Sequence, residues 1–276
     1  MWEGVVSIRQ TLSEASSHLA PVTETPRLDA ELLMAHALGI AREVLLLNHL
    51  DAPTPANFGP LIVRRLTHEP VAYITGTRAF WTIDLAVGPG VLIPRPDSET
   101  LIEAAVIHFG KVGPKTILDL GTGPGTLLLA ALAEWPGATG IGIDASHIAL
   151  DYARRNATDL DLAARARFRL GNWAEGLSDQ FDLILCNPPY IGTTEDLPAD
   201  VRAHEPGAAL FAGADGLDDY RIIVPQLSAL LPPGGVAILE IGHAQSVPVT
   251  TLLEAAGFAV ALARDLAGNT RALMAT

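Results

Sequence analysis

The sequence predicts an α/β protein, a doubly wound and mostly parallel sheet preceded by a small helical region. Three observations carry that expectation. From Lys115 onward, seven short apolar runs appear, the early ones separated by helical stretches. A glycine-rich turn joins the first run to the first helix. Before residue 70 there are helix signals and no strand alternation.

The elements follow in order. Thr25 and Pro26 read as a helix start, a capping hydroxyl followed by proline at the first helical position. Leu28, Leu32, Leu33, Ala35 and Leu38 form its apolar face, and Gly39 its stop. "AREVLLLNHL" reads as a second helix, "DAPTPANFGP" as a connector, and "LIVRRLTHEP" as a third helix ended by Pro70. Residues 1–70 are thus expected to form a helical domain. Residues 71–94 are rich in Tyr, Ile, Thr, Phe, Trp and Val and broken by glycines, which predicts a β-hairpin linker. Residues 95–276 form the α/β domain. Its strand candidates are "TILDLG", "ATGIGID", "ARFRLG", "FDLILCN", "VAILEIG", "FAVALARD" and "RALMAT".

Composition narrows the function classes. With 276 residues, 49% of them hydrophobic, the chain buries a sizeable core. A single cysteine, Cys186, excludes an internal disulfide framework, and its place in an apolar run suits a small buried residue better than a nucleophile. The start "MWEGVVSIRQ" does not resemble a signal peptide, and no apolar run is long enough to span a bilayer. A cytoplasmic protein without membrane contact is expected, acting as a monomer. The net charge of -13, with only two lysines, argues against a nucleic-acid partner. Arg64/Arg65 and Arg154/Arg155 read as helical surface pairs. The eight histidines lack metal-ligand spacing, so no metal is expected.

The glycine loop reads Gly121, Thr122, Gly123, Pro124, Gly125. A dinucleotide fingerprint needs its third glycine at 126, where this chain has Thr126. The tighter spacing is that of S-adenosylmethionine sites, where the backbone passes close to the amino-acid end of the cofactor and its sulfonium. Asp144 closes the second strand, placed to accept both ribose hydroxyls. Asn172 and Trp173 follow the third strand and are positioned to bracket adenine.

The fourth strand runs into Asn187, Pro188, Pro189 and Tyr190. Two prolines end the ladder and fix the backbone rigidly. A planar nitrogen such as a carboxamide or an exocyclic adenine amine is a poor nucleophile. The Asn187 side-chain oxygen and the Pro188 carbonyl would accept its hydrogens and favour positive charge as it attacks a methyl group. Tyr190 would pack on the planar group.

Together with "HEPVAYITGTRAFW", "VLIPRPDSETLIE", "HEPGAALFAGADGLDDYRII", "LEIGHAQ" and "DLAGNTRAL", these motifs resemble the peptide chain release factor glutamine N5-methyltransferases, the HemK/PrmC family. The resemblance spans nearly the whole chain and is weakest over the first ~25 residues. It implies a helical bundle for substrate recognition, a hairpin linker and a class I S-adenosylmethionine-dependent methyltransferase domain with a Rossmann-like, seven-stranded sheet. The reaction implied is methyl transfer to the glutamine of the release factors' Gly-Gly-Gln motif, with S-adenosylhomocysteine as by-product. Gly121 to Gly125, Asp144, Trp173 and Asn187 would contact cofactor, Asn187 to Tyr190 the glutamine, and Arg95 and Glu99 would lie near the site. The family more often has Ser where Pro124 stands, a change compatible with a helix start.

Three rivals remain. A glutamine methyltransferase for a ribosomal protein shares the motifs. An adenine N6-methyltransferase of DNA shares the tetrapeptide, but the acidic balance and the lack of a basic target-recognition domain oppose it. A silent adaptor would have little reason to retain loop, carboxylate and tetrapeptide together.

Overall fold

The computed structural model describes residues 7–276. Residues 1–6, which carry part of the sequence argument against a signal peptide, lie outside the described residues. The chain folds as two compact units, Met1–Thr77 with Leu197–His204, and Arg78–Asp196 with Glu205–Thr276.

The first unit contains α1 (Ile8–Leu19), α2 (Pro26–Leu38), α3 (Arg42–Asn48), α4 (Phe58–Leu66) and α5 (Val71–Thr75). Its core gathers Ile8, Leu12, Leu33, Met34, Leu45 and Phe58, each apolar side chain worth roughly 1.5–3 kcal/mol when fully buried. Pro26 opens α2 and Gly39 closes it in the left-handed region, at φ 66°. The Thr25 hydroxyl does not cap; it donates to Asp29 Oδ1 at 3.0 Å.

Four further expectations change here. Leu28 is exposed, and the buried face of α2 includes Ala30, Leu33 and Met34. Asp29 and Glu31 are buried with it because arginines neutralise them: Arg65 bonds Asp29 at 2.8 Å, while Arg27 and Arg42 hold Glu31. Arg65 is therefore a buried ion-pair partner, not part of a surface pair. The third helix starts at Phe58, inside the stretch read as a connector, and stops at Leu66, short of Pro70. Residues 71–75 form one helical turn between Pro70 and a left-handed Gly76. Burial of Ala72, Tyr73 and Ile74 outweighs their β propensity.

The paired strands β1 (Thr77–Phe80) and β2 (Ile83–Ala86) come next, then α6 (Glu99–Phe109). The alternation runs β3 (Thr116–Leu120), α7 (Thr126–Glu134), β4 (Thr139–Asp144), α8 (His147–Asp159), β5 (Ala166–Leu170) and β6 (Leu183–Cys186). After α9 (Ala199–His204), which belongs to the first unit, follow α10 (Asp218–Leu230), β7 (Val236–Glu240), α11 (Ser246–Ala255), β8 (Val260–Arg264) and β9 (Thr270–Ala275). All seven strand candidates are strands of one sheet.

The order is β5-β4-β3-β6-β7-β9-β8, with β9 antiparallel to both its neighbours and the rest parallel. The chain winds from β3 outward to β5, then returns to the other side of β3 with β6. That reversal opens a crevice at the carboxyl ends of β3 and β6, where ligands of such sheets bind. Strands β6 and β7 are buried at every residue, which is why they read as continuous apolar runs.

Asn156 of α8 ties the hairpin to the glycine loop. It accepts from Ala86 N at 2.8 Å and donates to the carbonyls of Ala86 and Pro124 at 3.1 and 2.8 Å. Trp81 adds two bonds, from its backbone to Glu99 and from its indole to Glu134.

Candidate active site

A cavity of roughly 400 Å³ opens at the carboxyl ends of the central strands. Gly121, Thr122, Gly123 and Pro124 line it, as do Asp144, Asn172, Trp173, Asn187, Pro189 and Arg95. Ten of the residues singled out in the sequence thus meet in one place. Gly125, Glu99, Pro188 and Tyr190 are not on its wall.

The loop hangs on the neighbouring strand, since Gly121 N and Thr122 N both donate to the Ile143 carbonyl at 2.9 Å. Gly121 has φ 71°, and a Cβ there would stand 3.1 Å from the Trp173 ring. Gly125, at φ 88°, packs instead: a Cβ would come within 2.8 Å of Leu129. Asp144 is fixed by Gly123 N on one oxygen and Ser146 N on the other, both at 2.8 Å. Burial raises its pKa while these amides pull it down. A carboxylate has about four acceptor sites, so two hydroxyls still find room. Trp173 holds a left-handed backbone at φ 50°. Asp219 also lines the cavity, and burial raises its pKa against the lowering influence of the Trp173 indole.

Sequence reasoning passed over a second acid. Asp119 lies in β3, 1% exposed, and borders the cavity. Its Oδ2 accepts from Thr122 Oγ1 at 2.6 Å and Leu128 N at 3.1 Å, whereas Oδ1 is buried without a hydrogen-bond partner. Burial pushes this carboxyl up to about 7. The signal was present as a lone charge inside an apolar strand.

On the other side, Asn187 Nδ2 donates to Ser98 Oγ at 3.2 Å, which leaves Oδ1 as the free end of the amide. The Tyr190 hydroxyl donates to Glu240 Oε1 at 3.5 Å, and burial pushes that phenol up to about 12. Pro188 is buried. Arg95 pairs with Glu205, which also accepts from Ile93 N at 3.0 Å. Glu99 holds the backbone of Trp81. Cys186 is buried, and burial pushes its thiol well up, away from the thiolate form.

Residues 10–76 match the PrmC N-terminal domain, and residues 113–251 match a methyltransferase domain. The release factor glutamine methyltransferase of Rhodospirillum rubrum is 46% identical over 258 residues, covering 91% of this chain and 79% of that protein. The chain belongs to the release factor glutamine methyltransferase family. The family's protein from Bradyrhizobium diazoefficiens is 41% identical and covers 99% of this chain and 95% of its own. Among solved structures, a methyltransferase from Pyrococcus furiosus superposes with a TM-score of 0.54 at 18% identity, covering 77% of this chain and 95% of that one, a likeness of fold. Among the described residues, no helix of this family member is long and apolar enough to cross a membrane.

Proposed function

We propose that this chain methylates the side-chain amide nitrogen of the glutamine in the Gly-Gly-Gln motif of peptide chain release factors, using S-adenosylmethionine. The names of its relatives support the substrate, and the orientation of Asn187 carries the chemistry. With Nδ2 bonded to Ser98, the side-chain oxygen is the end presented to a substrate amide.

The cavity suits the cofactor. The buried, unpartnered Asp119 Oδ1 borders the glycine loop, where an ammonium group would complete its hydrogen bonding. Asp144, already oriented by backbone amides, takes the ribose hydroxyls, while Asn172 and Trp173 flank the base. When bound, the cofactor supplies an electrophilic methyl group. Asn187 Oδ1 and the Pro188 carbonyl hold the substrate NH₂, fix its lone pair toward the cavity and stabilise positive charge that develops on nitrogen. The two prolines keep those acceptors from relaxing.

Among the described residues, none of the first unit lines the cavity, and Leu47 and Val63 there are exposed, at 81% and 63%. We assign that unit recognition of the protein substrate. Leu47→Glu with Val63→Glu should raise KM for intact release factor and spare a short Gly-Gly-Gln peptide. An equal effect on both would remove that role. Methylation of a ribosomal protein is the nearest rival, and adenine methylation is disfavoured by the net charge of -13. A cytoplasmic monomer suits a translation-linked reaction.

The deciding experiment is single-turnover methyl transfer to release factor at saturating cofactor. Asn187→Ala should lower the rate at least ~10²-fold, and Asn187→Asp should fall between it and wild type. A near-normal rate in Asn187→Ala would falsify the assignment.

A further inference from the structure

The two prolines make Asn187 to Tyr190 a stiff arm, and a stiff arm transmits any play at its far end. Its near end is anchored by Cys186, the last residue of β6, in the middle of the sheet. Past the far end, Ile191 pairs with the stretch that follows the cavity-lining Ala208 and Ala209. Its N–H donates to the Leu210 carbonyl at 3.0 Å, and its carbonyl accepts from Ala212 N at 2.9 Å. Between these anchors the Tyr190 carbonyl is the handle by which the arm itself is held.

Gln245 holds it. This residue precedes α11, in the loop after β7. Its Nε2 donates to the carbonyls of Tyr190 and Gly216 at 2.8 and 3.1 Å, and its Oε1 accepts from Gly242 N at 3.1 Å. A flipped amide would set its oxygen against two carbonyls and its hydrogens against an N–H. Three backbone groups from three loops therefore fix its direction. The surrounding space admits little else. At Gly216, with φ 71°, a Cβ would strike the Tyr190 carbonyl oxygen and stand 2.7 Å from Gln245 Nε2. At Gly242 a Cβ would stand 3.0 Å from Gln245 Oε1 and 3.3 Å from the Tyr190 ring.

We propose that Gln245 is a positioning residue for methyl transfer. By clamping the Tyr190 carbonyl to the loops after β7 and before α10, it holds Asn187 Oδ1 and the Pro188 carbonyl on the substrate nitrogen. The inference rests on the role given to Asn187 above. It gives a use to the segment "LEIGHAQ", whose Gln245 is not on the cavity wall.

The test uses the full chain at saturating S-adenosylmethionine, with release factor and a short Gly-Gly-Gln peptide as acceptors. Gln245→Met keeps the length of the side chain and removes both donors. It should slow single turnover ~10-fold or more on either acceptor, as misplacement of a reacting group does, with KM and cofactor affinity within about twofold of wild type. In Gln245→Glu an ionised carboxylate would face two carbonyl oxygens, which lifts its pKa above the usual ~4.3. Once protonated, it can donate to the Tyr190 carbonyl and still accept from Gly242 N. Its rate relative to wild type should therefore climb ~3-fold or more as pH falls from about 8 to about 5.5. Nearby groups are His243 in the same loop, Glu240 at the Tyr190 hydroxyl, and Asp215 with its partner Arg221 beside Gly216. Both enzymes share them, so the ratio removes their titration.

A wild-type rate in Gln245→Met beside a slow Asn187→Ala overturns the clamp and leaves Asn187 in its role. Fast turnover in both overturns the role of Asn187 and the clamp with it. A loss confined to intact release factor makes Gln245 a docking residue and overturns the clamp as well. So does a flat ratio in Gln245→Glu, a result that does not depend on how well Gln245→Met folds.

Discussion

Asp119 and Glu240 make a natural pair. Each is a carboxyl on a central strand, each is 1% exposed, and burial pushes each to about 7. Their surroundings differ. Asp119 borders the cavity, whereas Glu240 lies off its wall with the Tyr190 hydroxyl 3.5 Å from Oε1; each keeps one buried oxygen, Asp119 Oδ1 and Glu240 Oε2, without a hydrogen-bond partner. The same perturbation thus falls in two places. A buried acid on the cavity wall is within reach of a bound cation, and one behind the wall is not.

The comparison breaks most easily at ligand affinity. Asp119→Asn should weaken S-adenosylmethionine binding by ~1.5–3 kcal/mol, the range for a hydrogen bond to a charged group, while single turnover at saturating cofactor stays near wild type. Calorimetry beside rapid-quench kinetics separates the two. Unchanged affinity with slow turnover would assign Asp119 to the chemistry instead.

Proton uptake sharpens the contrast. A cationic ligand favours ionised Asp119, so affinity should rise ~10-fold between pH 6 and pH 8, with proton release on binding below about 7. Titrations in buffers of different ionisation heat report that proton. In Asp119→Asn the affinity should be flat over this range, and a slope that persisted would place the titrating group elsewhere.

The smallest effect is on stability. In the unfolded chain Asp119 loses its proton near its ordinary 3.8, whereas in the fold it keeps it to about 7. Between those values the folded state binds more protons, so its contribution to stability falls as pH rises and stays low above about 7. Asp119→Asn should relieve ~1–3 kcal/mol of that loss at pH 8 and almost none at pH 4. Calorimetric Tm values for apoprotein at the two pH values check it.

Much of this was legible beforehand, for reasons that differ by element. The seven strands announced themselves because a parallel sheet covered on both faces allows little but apolar residues. The glycine loop and Asp144 were readable because close backbone approach and a strand-end carboxylate follow from local spacing. Val71 to Thr75 misled because five residues of β-prone composition can be overruled by burial. Arg65 and Leu28 misled because a partner 36 residues away decides which side of a helix is buried. Ser98 was quoted within a motif but gained meaning only from Asn187, 89 residues later. Asp119 and Glu240 did carry a signal, one acid in each apolar run.

The path of the chain through its two units sets a schedule for synthesis. Thr77 leaves the ribosome about 120 residues before Leu197, an interval on the order of ten seconds. Until then the first unit lacks its last helix, which brings Asp200 to Arg65 at 3.8 Å and His204 to the Thr67 carbonyl at 3.3 Å. The nascent protein must therefore hold an incomplete bundle while most of the strands that follow are still being made. Deleting everything before residue 78 would strand those eight residues without the helices they were made to join.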